Sequence, residues 1–398
     1  MIHAPAVLAA IAVAPSAPDG GWRVARRMAA DPAQVLVGRA PQEAATLAPL
    51  IFNLCGAAHA RAAAAALGLD REEDAPALAR AAARERARDH ARAVLVEWPR
   101  ALGEAPDRAS LGLLARPDGA PALALALVGE ARDLCAFSLA ELDAWLAAGA
   151  TQTVRLLARL RRETDPAFGR AGLPVLTPQT LGAMMAAPDA DCPDAPPPPL
   201  WGRDGVGGEA AAQVPAAMTS GGPTAPTLPS PARGEGGRGA PPAQSSPPQA
   251  GEGDLGGGLA PLHFETGALA RLAETPLFRA LLAQEGPTLF ARLLARLADG
   301  LDALSGAAEP ALSAPPGVGL AFAARGLLAH GARVHAGRVA SYRVVSPSAW
   351  NLVPGGLMER ALAALPAGAA GARLAPLLVS AINPCVPVSF PAAEAAHA

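Results

Sequence analysis

The chain contains no lysine. All 33 residues of the Lys/Arg class are arginine, and alanine is very frequent; a bias of composition accounts for both better than any function does. Charge is scarce, at 17% of residues, and its balance of −2 gives no global pull toward nucleic acid or anionic lipid. Cysteine is scarce too. Cys55, Cys135, Cys192 and Cys385 lie far apart in a chain of 398 residues that needs no staples, which points to a reducing compartment. The apolar stretch Ala6–Pro15 is short and no Lys or Arg precedes it, so it fits neither a signal peptide nor a membrane span of roughly 20 residues. A soluble, cytoplasmic protein is expected, with neither nucleic acid nor membrane as a partner. There is also no P-loop, no dinucleotide glycine fingerprint and no G-x-S-x-G, which removes nucleotide-binding and hydrolytic readings.

What is present is apolar material, 51% of the chain, enough for one large core or two ordinary ones. The clearest boundary is internal. Between Pro188 and Gly258, Pro, Gly and Ser dominate and apolar periodicity vanishes, a composition that cannot offset its ordering entropy. Residues 188–258 therefore read as a disordered insert, whose reach of roughly 45–50 Å hardly constrains the flanking halves. The halves, 1–187 and 259–398, are expected to form one domain, and Cys192 reads as an incidental thiol of the insert.

The N-terminal half reads as mostly helical after a short strand over Ala6–Val13. Pro41–Leu69 has proline early, Glu43 in its first turn and Gly68 after the run, with Pro49 expected to kink it or to mark its true start. Glu72–Val96 carries Arg80, Arg84, Arg88 and Arg92 at i,i+4 spacing, a solvated face interleaved with Glu85 and Asp89 rather than a docking stripe. Ser138–Arg162 opens on a capping box, Ser138 to Glu141. Past the insert, Phe264–Leu304 reads as two helices broken near Gly286–Pro287. Ala332–Val345 alternates around Ala336–Gly337 and predicts a β-hairpin. Glu359–Leu365 and Leu374–Ile382 are helical again, and Pro384 brings the chain to Cys385 in a non-helical conformation. The class is mainly α with a minor antiparallel β element.

Two positions stand out chemically. Cys55 and His59, four apart in NLCGAAHARA, share one helix face, within reach of a common metal or hydrogen bond. On spacing alone, a small packing thiol and a core histidine are the more ordinary reading. Cys385, in INPCVPVSFP, is held between Pro384 and Pro387, which would fix the direction of a thiolate. Cys135, in RDLCAFS, has no such context and is expected to be dispensable.

Asn53–Ala60 resembles the N-terminal metal motif of nickel–iron hydrogenase large subunits, R-x-C-G-x-C-x-x-x-H, with Cys55 at its second Cys, His59 at its His and Phe52 where the first Cys would be. Val37 to Pro41 resembles the GR-P turn ahead of it. Phe264 to Arg271 is similar to E-T-G-P-L-A-R, Ala323 to His330 to A-P-R-G-x-L-x-H, and Tyr342 to Pro354 to Y-x-V-x-P-T-T-W-N-x-x-P. Asn383-Pro384-Cys385 takes the place of the terminal D-P-C-x-x-C-x-x-H. The resemblance implies a large-subunit-like fold, degenerate at its metal site. Phe52 and Val388 replace two of the four thiolates, and Pro391 replaces the final His after which a protease would cut. Cys55 and Cys385 remain as metal ligands, with sulfurs roughly 3–4 Å apart on bound metal by analogy with thiolate bonds of about 2.3 Å. Arg325 matches the arginine beside the diatomic ligands of the iron, and His59 is the second expected cofactor contact. Trp350 and Asn351 read as a core indole and a turn amide.

This loss pattern resembles the hydrogenase expression/formation proteins. It implies a maturation scaffold, not an enzyme, that transiently holds iron with its cyanide and carbonyl ligands and no nickel. Its implied partners are assembly chaperones that deliver the iron and the large-subunit apoprotein that receives it. The alternative is a metal-free large-subunit-like interaction protein. On the scaffold reading, the segment Leu374–Phe390 is expected to fold back against Pro41–Leu69.

Overall fold

The structure is a computed structural model that describes residues 6–16, 21–71, 73–116, 118–130, 133–186, 263–306, 309 and 311–390. The expected insert 188–258, with Cys192, lies outside the described residues, as does Pro391. Described segments on both sides of residues 188–258 fall in one compact unit.

Helices dominate, with two small sheets. The chain opens with β1 (Ala6–Pro15), which pairs antiparallel with β2 (Trp22–Ala30) and parallel, at Ile11↔Val388 and Ala12↔Ser389, with β6 (Val388–Ser389) at the far end of the chain. The strand expected over Ala6–Val13 is thus present. Its two partners carry too little alternation, or too few residues, to announce themselves in sequence.

The helix expected over Pro41–Leu69 is two helices, α1 (Pro41–Ile51) and α2 (Gly56–Ala66), separated by an irregular turn at Phe52–Cys55. The break falls after Pro49, not at it: Phe52 N–H still bonds Ala48 O before the backbone leaves helical geometry. Next come α3 (Ala75–Arg92), a π-helical turn Ala93–Glu97 and α4 (Trp98–Ala101). Two shorter helices follow, α5 (Arg108–Leu111) and α6 (Gly119–Val128). The third long helix is likewise divided, into α7 (Leu139–Ala148) and α8 (Gln152–Glu163), because Gly149 adopts φ +56. The Ser138–Glu141 capping box is present.

After α9 (Pro178–Ala186), the second described segment supplies α10 (Ala268–Leu272), α11 (Pro276–Glu285) and α12 (Leu289–Leu304), three helices where two were expected. Helix α12 is buried almost all round and packs against α3, α10 and α15 (Gly368–Ile382). Its interior charges are all paired, as burial demands. Arg292 grips Glu265 at 2.9 and 3.1 Å, Arg296 bonds Asp89 at 2.8 Å, and Asp299 receives His90 at 2.7 Å.

The hairpin is β4 (Gly326–His335) and β5 (Arg338–Val345), turning at Ala336 (φ +48) and Gly337 (φ +72), and β3 (Val318–Ala323) completes an antiparallel sheet in the order β3-β4-β5. Strand β3 lies directly on α2. A Cβ at Gly319 would meet Ala62 O at 1.9 Å, so only a glycine facing an alanine helix permits this spacing. Two short helices, α13 (Pro347–Asn351) and α14 (Leu357–Ala363), lead into α15. Asn351 is therefore not a turn amide but the last residue of α13, while Trp350 is the core indole expected, edge-on to Phe264 at 5.3 Å.

Helix α15 does not lie on α1 and α2 as expected. Its apolar face, Leu374, Leu377, Leu378 and Ile382, belongs to the main core with α12 and α4. Only past Asn383, at φ +56, does the chain turn toward Cys55. Among the described residues no helix is long and apolar enough to cross a membrane.

Candidate metal centre

Cys55 ends the 3-10 turn Asn53–Cys55 and caps the N-terminus of α2, outside the α-helix itself, and is 6% exposed. A helix N-terminus ordinarily favours a thiolate, but burial dominates here and pushes the Cys55 thiol up to about 11, against the opposing Arg325 charge. Both carboxylate oxygens of Glu85, on α3, accept the Ala57 N–H at 2.9 Å and so cap the start of α2. Burial also raises the Glu85 pKa.

Arg325 occupies the tight link between β3 and β4. Gly326 follows at φ +124, where a Cβ would meet Thr266 O at 2.0 Å, so the backbone that aims Arg325 requires glycine. The guanidinium is buried, and three of its N–H groups are engaged within the fold. Nη1 donates to Cys55 Sγ at 3.0 Å, Nη2 to Asp89 Oδ1 at 2.9 Å and Nε to Pro384 O at 3.4 Å. One side chain thereby ties the first cysteine motif to the last.

Asp89 is the counter-charge. Its Oδ2 accepts from Arg296 Nη2 at 2.8 Å and from Asn383 Nδ2 at 2.7 Å. Burial alone would raise its pKa; Arg296 and Arg325 outweigh it and hold the carboxyl well below the usual range. Asn383 also donates to Ala324 O at 3.1 Å, which locks the turn before Cys385 to the loop that carries Arg325. Cys385 is half-buried. Its N–H donates to Ser348 Oγ at 2.8 Å and its thiol to Ser346 Oγ at 3.7 Å, and its sulfur lies near enough for its charge to bear on both Cys55 and Arg325.

Between α2 and the β4–β5 hairpin runs a buried hydrogen-bonded line. His59 Nδ1 meets His330 Nε2 at 2.8 Å, and His330 Nδ1 meets Tyr342 OH at 2.6 Å. Burial holds both imidazoles neutral, His59 down to about 3 and His330 well below its ordinary value. Phe52 stacks on the His59 ring, centroids 4.6 Å apart and planes 14° from parallel. Val388 is pinned in β6 against β1. Both positions where the resemblance would place further thiolates are thus filled by apolar side chains.

The structure brings Cys55, Arg325 and Cys385 together, with His59 one turn further along α2. Cys135 lies elsewhere, beside the main core. Sequence reasoning missed Asp89 and Glu85. The arginines at 80, 84, 88 and 92 are indeed exposed, but Glu85 and Asp89 are not interleaved with them; they turn inward to the site. The signal was available: Glu85 and Asp89 each follow an arginine of the outward stripe by one residue, about 100° round the helix and toward its buried alanine face. Among the described residues no three His, Cys, Asp or Glu side chains cluster as a ready metal site.

The family model for nickel-dependent hydrogenases matches residues 262–369. The chain is 30% identical over 367 residues to the hydrogenase expression/formation protein HupK of Rhodobacter capsulatus, covering 92% of this chain and 90% of that one. It is also 30% identical over 397 residues to HupK of Rhizobium leguminosarum bv. viciae, again covering 92% and 90%. Among solved structures, the NiFeSe hydrogenase of Dm. baculatum aligns over 92% of this chain and 94% of its own at a TM-score of 0.50 and 14% identity, a likeness of fold. With its large-subunit-like fold and a full-length match to these relatives, the chain belongs to the hydrogenase expression/formation protein family, HupK type.

Proposed function

We propose that this protein is a cytoplasmic scaffold of nickel–iron hydrogenase maturation, and not itself an enzyme. Its cargo is one low-spin iron carrying cyanide and carbonyl ligands. Assembly chaperones deliver the iron, Cys55 and Cys385 hold it transiently, and the large-subunit apoprotein receives it. One observation carries this reading: the Arg325 guanidinium reaches both the Cys55 sulfur and the Pro384 carbonyl, joining two motifs 330 positions apart around one cationic donor. Two thiolates suit a soft metal unit that brings its own strong-field ligands, and they are too few for a tetrathiolate nickel pocket. A guanidinium donates well to a cyanide nitrogen or a metal-bound thiolate. His59, four residues on from Cys55, is bonded to His330. The Cys55 thiol, protonated at neutral pH, must lose its proton on binding, so capture and release are both coupled to proton transfer.

Infrared spectra of anaerobically purified protein test this, since cyanide and carbonyl absorb where protein does not. Bands present in the wild type and lost in Cys55→Ser and in Cys385→Ser, but retained in Cys135→Ser, are the expected result. Maturation that proceeds normally with both cysteines replaced would leave the metal-free interaction protein as the reading.

A further inference from the structure

Cys55 and His59 lie one turn apart at the start of α2, and His330 brings a second imidazole to within 2.8 Å of the first. Sulfur and imidazole nitrogen together are the donor set that borderline divalent cations prefer. His330 is even oriented as a metal-binding histidine is, its other ring nitrogen held by the Tyr342 hydroxyl at 2.6 Å. Yet the two imidazoles face each other, and a flat ring covers them: Phe52 stacks on His59 at 4.6 Å and presents its edge to His330 at 6.3 Å.

We propose that Phe52 is a specificity-determining residue that seals the His59–His330 pair away from Cys55, so that the thiols accept a metal unit carrying its own ligands and reject a bare borderline dication. The inference rests on the two-thiolate reading above and adds the element that makes it selective. His59 and His330 satisfy each other only while their rings stay in register, and the Phe52 ring stacked on His59 keeps them there. Removing that ring frees His59 to turn toward Cys55, four residues earlier at the N-cap of α2. A third donor then joins the site.

The test is anaerobic titration of the full-length protein with cobalt(II), read by the thiolate-to-cobalt charge-transfer band. Phe52→Ala is expected to bind cobalt at least about tenfold more tightly than wild type, the scale on which supporting groups alter metal affinity. Adding His59→Ala to that variant should return the affinity to the wild-type value. Phe52→Val, which keeps apolar bulk and guards against misfolding, should show the same His59-dependent gain. Unchanged affinity in both Phe52 variants, or a gain that survives loss of His59, overturns the proposal. Wild-type protein without cyanide and carbonyl bands would instead defeat the scaffold reading, and the cobalt comparison between variants would still be legible.

Discussion

Asp89 carries more of the site than its place in the sequence suggests. It neutralises Arg296 and Arg325 and receives Asn383, linking α3, α12, the β3–β4 link and the C-terminal turn. Asp89→Asn keeps the shape but strands two buried guanidinium groups, and breaking a buried ion pair in this way costs about 3–5 kcal/mol. Urea unfolding should show a loss of that size, and one below about 1 kcal/mol would mean that the arginines find other partners. Cys55, Cys385, Arg325 and His59 were legible because each sits in a recognisable motif. Asp89 was not, since an acid among arginines reads as surface charge until the helix is rotated in space. The histidines give a second prediction at this scale. Burial holds His59, His90 and His330 neutral in the fold, so below the ordinary value of 6.5 the unfolded chain binds protons that the folded chain refuses. Their contribution is whole above about pH 6.5 and drains away as pH falls toward the folded values. The thermal midpoint should therefore drop between pH 7.5 and pH 5.0; a constant midpoint would contradict the neutral buried line.

At the level of elements, small residues set the spacing. Helix α2 is built almost wholly of alanine, and β3 approaches so closely that Gly319 faces Ala62 O. Gly319→Ala must push strand from helix, and overpacking of this kind costs about 1–3 kcal/mol or more. Because β3 leads directly into Arg325, the same change should weaken the infrared bands of the bound iron unit. A variant as stable as wild type would show that the contact relaxes without cost. The capping box offers a control far from the site. Ser138→Ala should cost about 0.5–2 kcal/mol in chemical denaturation and leave iron retention untouched. Helix starts were legible where a cap or proline marks them, as at Pro41 and Ser138. Helix breaks were harder to read: Gly149 at φ +56 and the Thr151 cap, which accepts the Val154 N–H, interrupt an otherwise continuous pattern, and the break at Phe52 falls where α1 packs against α2. Strand β6 has two residues and owes its existence to β1, so no local signal could have revealed it.

Across the whole molecule, the segments that flank residues 188–258 meet without needing them. Val175 bridges Glu265 in parallel, with Leu176 N–H on Glu265 O and Glu265 N–H on Pro174 O, each at 3.0 Å. Arg292 fastens the same place from within α12, bonding the Glu265 carboxylate and the carbonyls of Gly169 and Ala171. A second buried network does the same nearer the site. Arg86 of α3 and Arg271 of α10 share Asp299, Asp302 and Glu309. These contacts join the two described segments through ion pairs and core rather than through the chain that connects them. Replacing 188–258 by a short Gly/Ser linker should therefore preserve helicity, a single cooperative unfolding transition and iron retention. Loop-closure entropy even favours the shortened chain slightly, since each halving of loop length is worth about 0.6 kcal/mol. The unfolding free energy should stay level or rise by roughly 1 kcal/mol. A fall of several kcal/mol, or a transition that splits in two, would show that residues 188–258 contribute structure that their composition does not reveal.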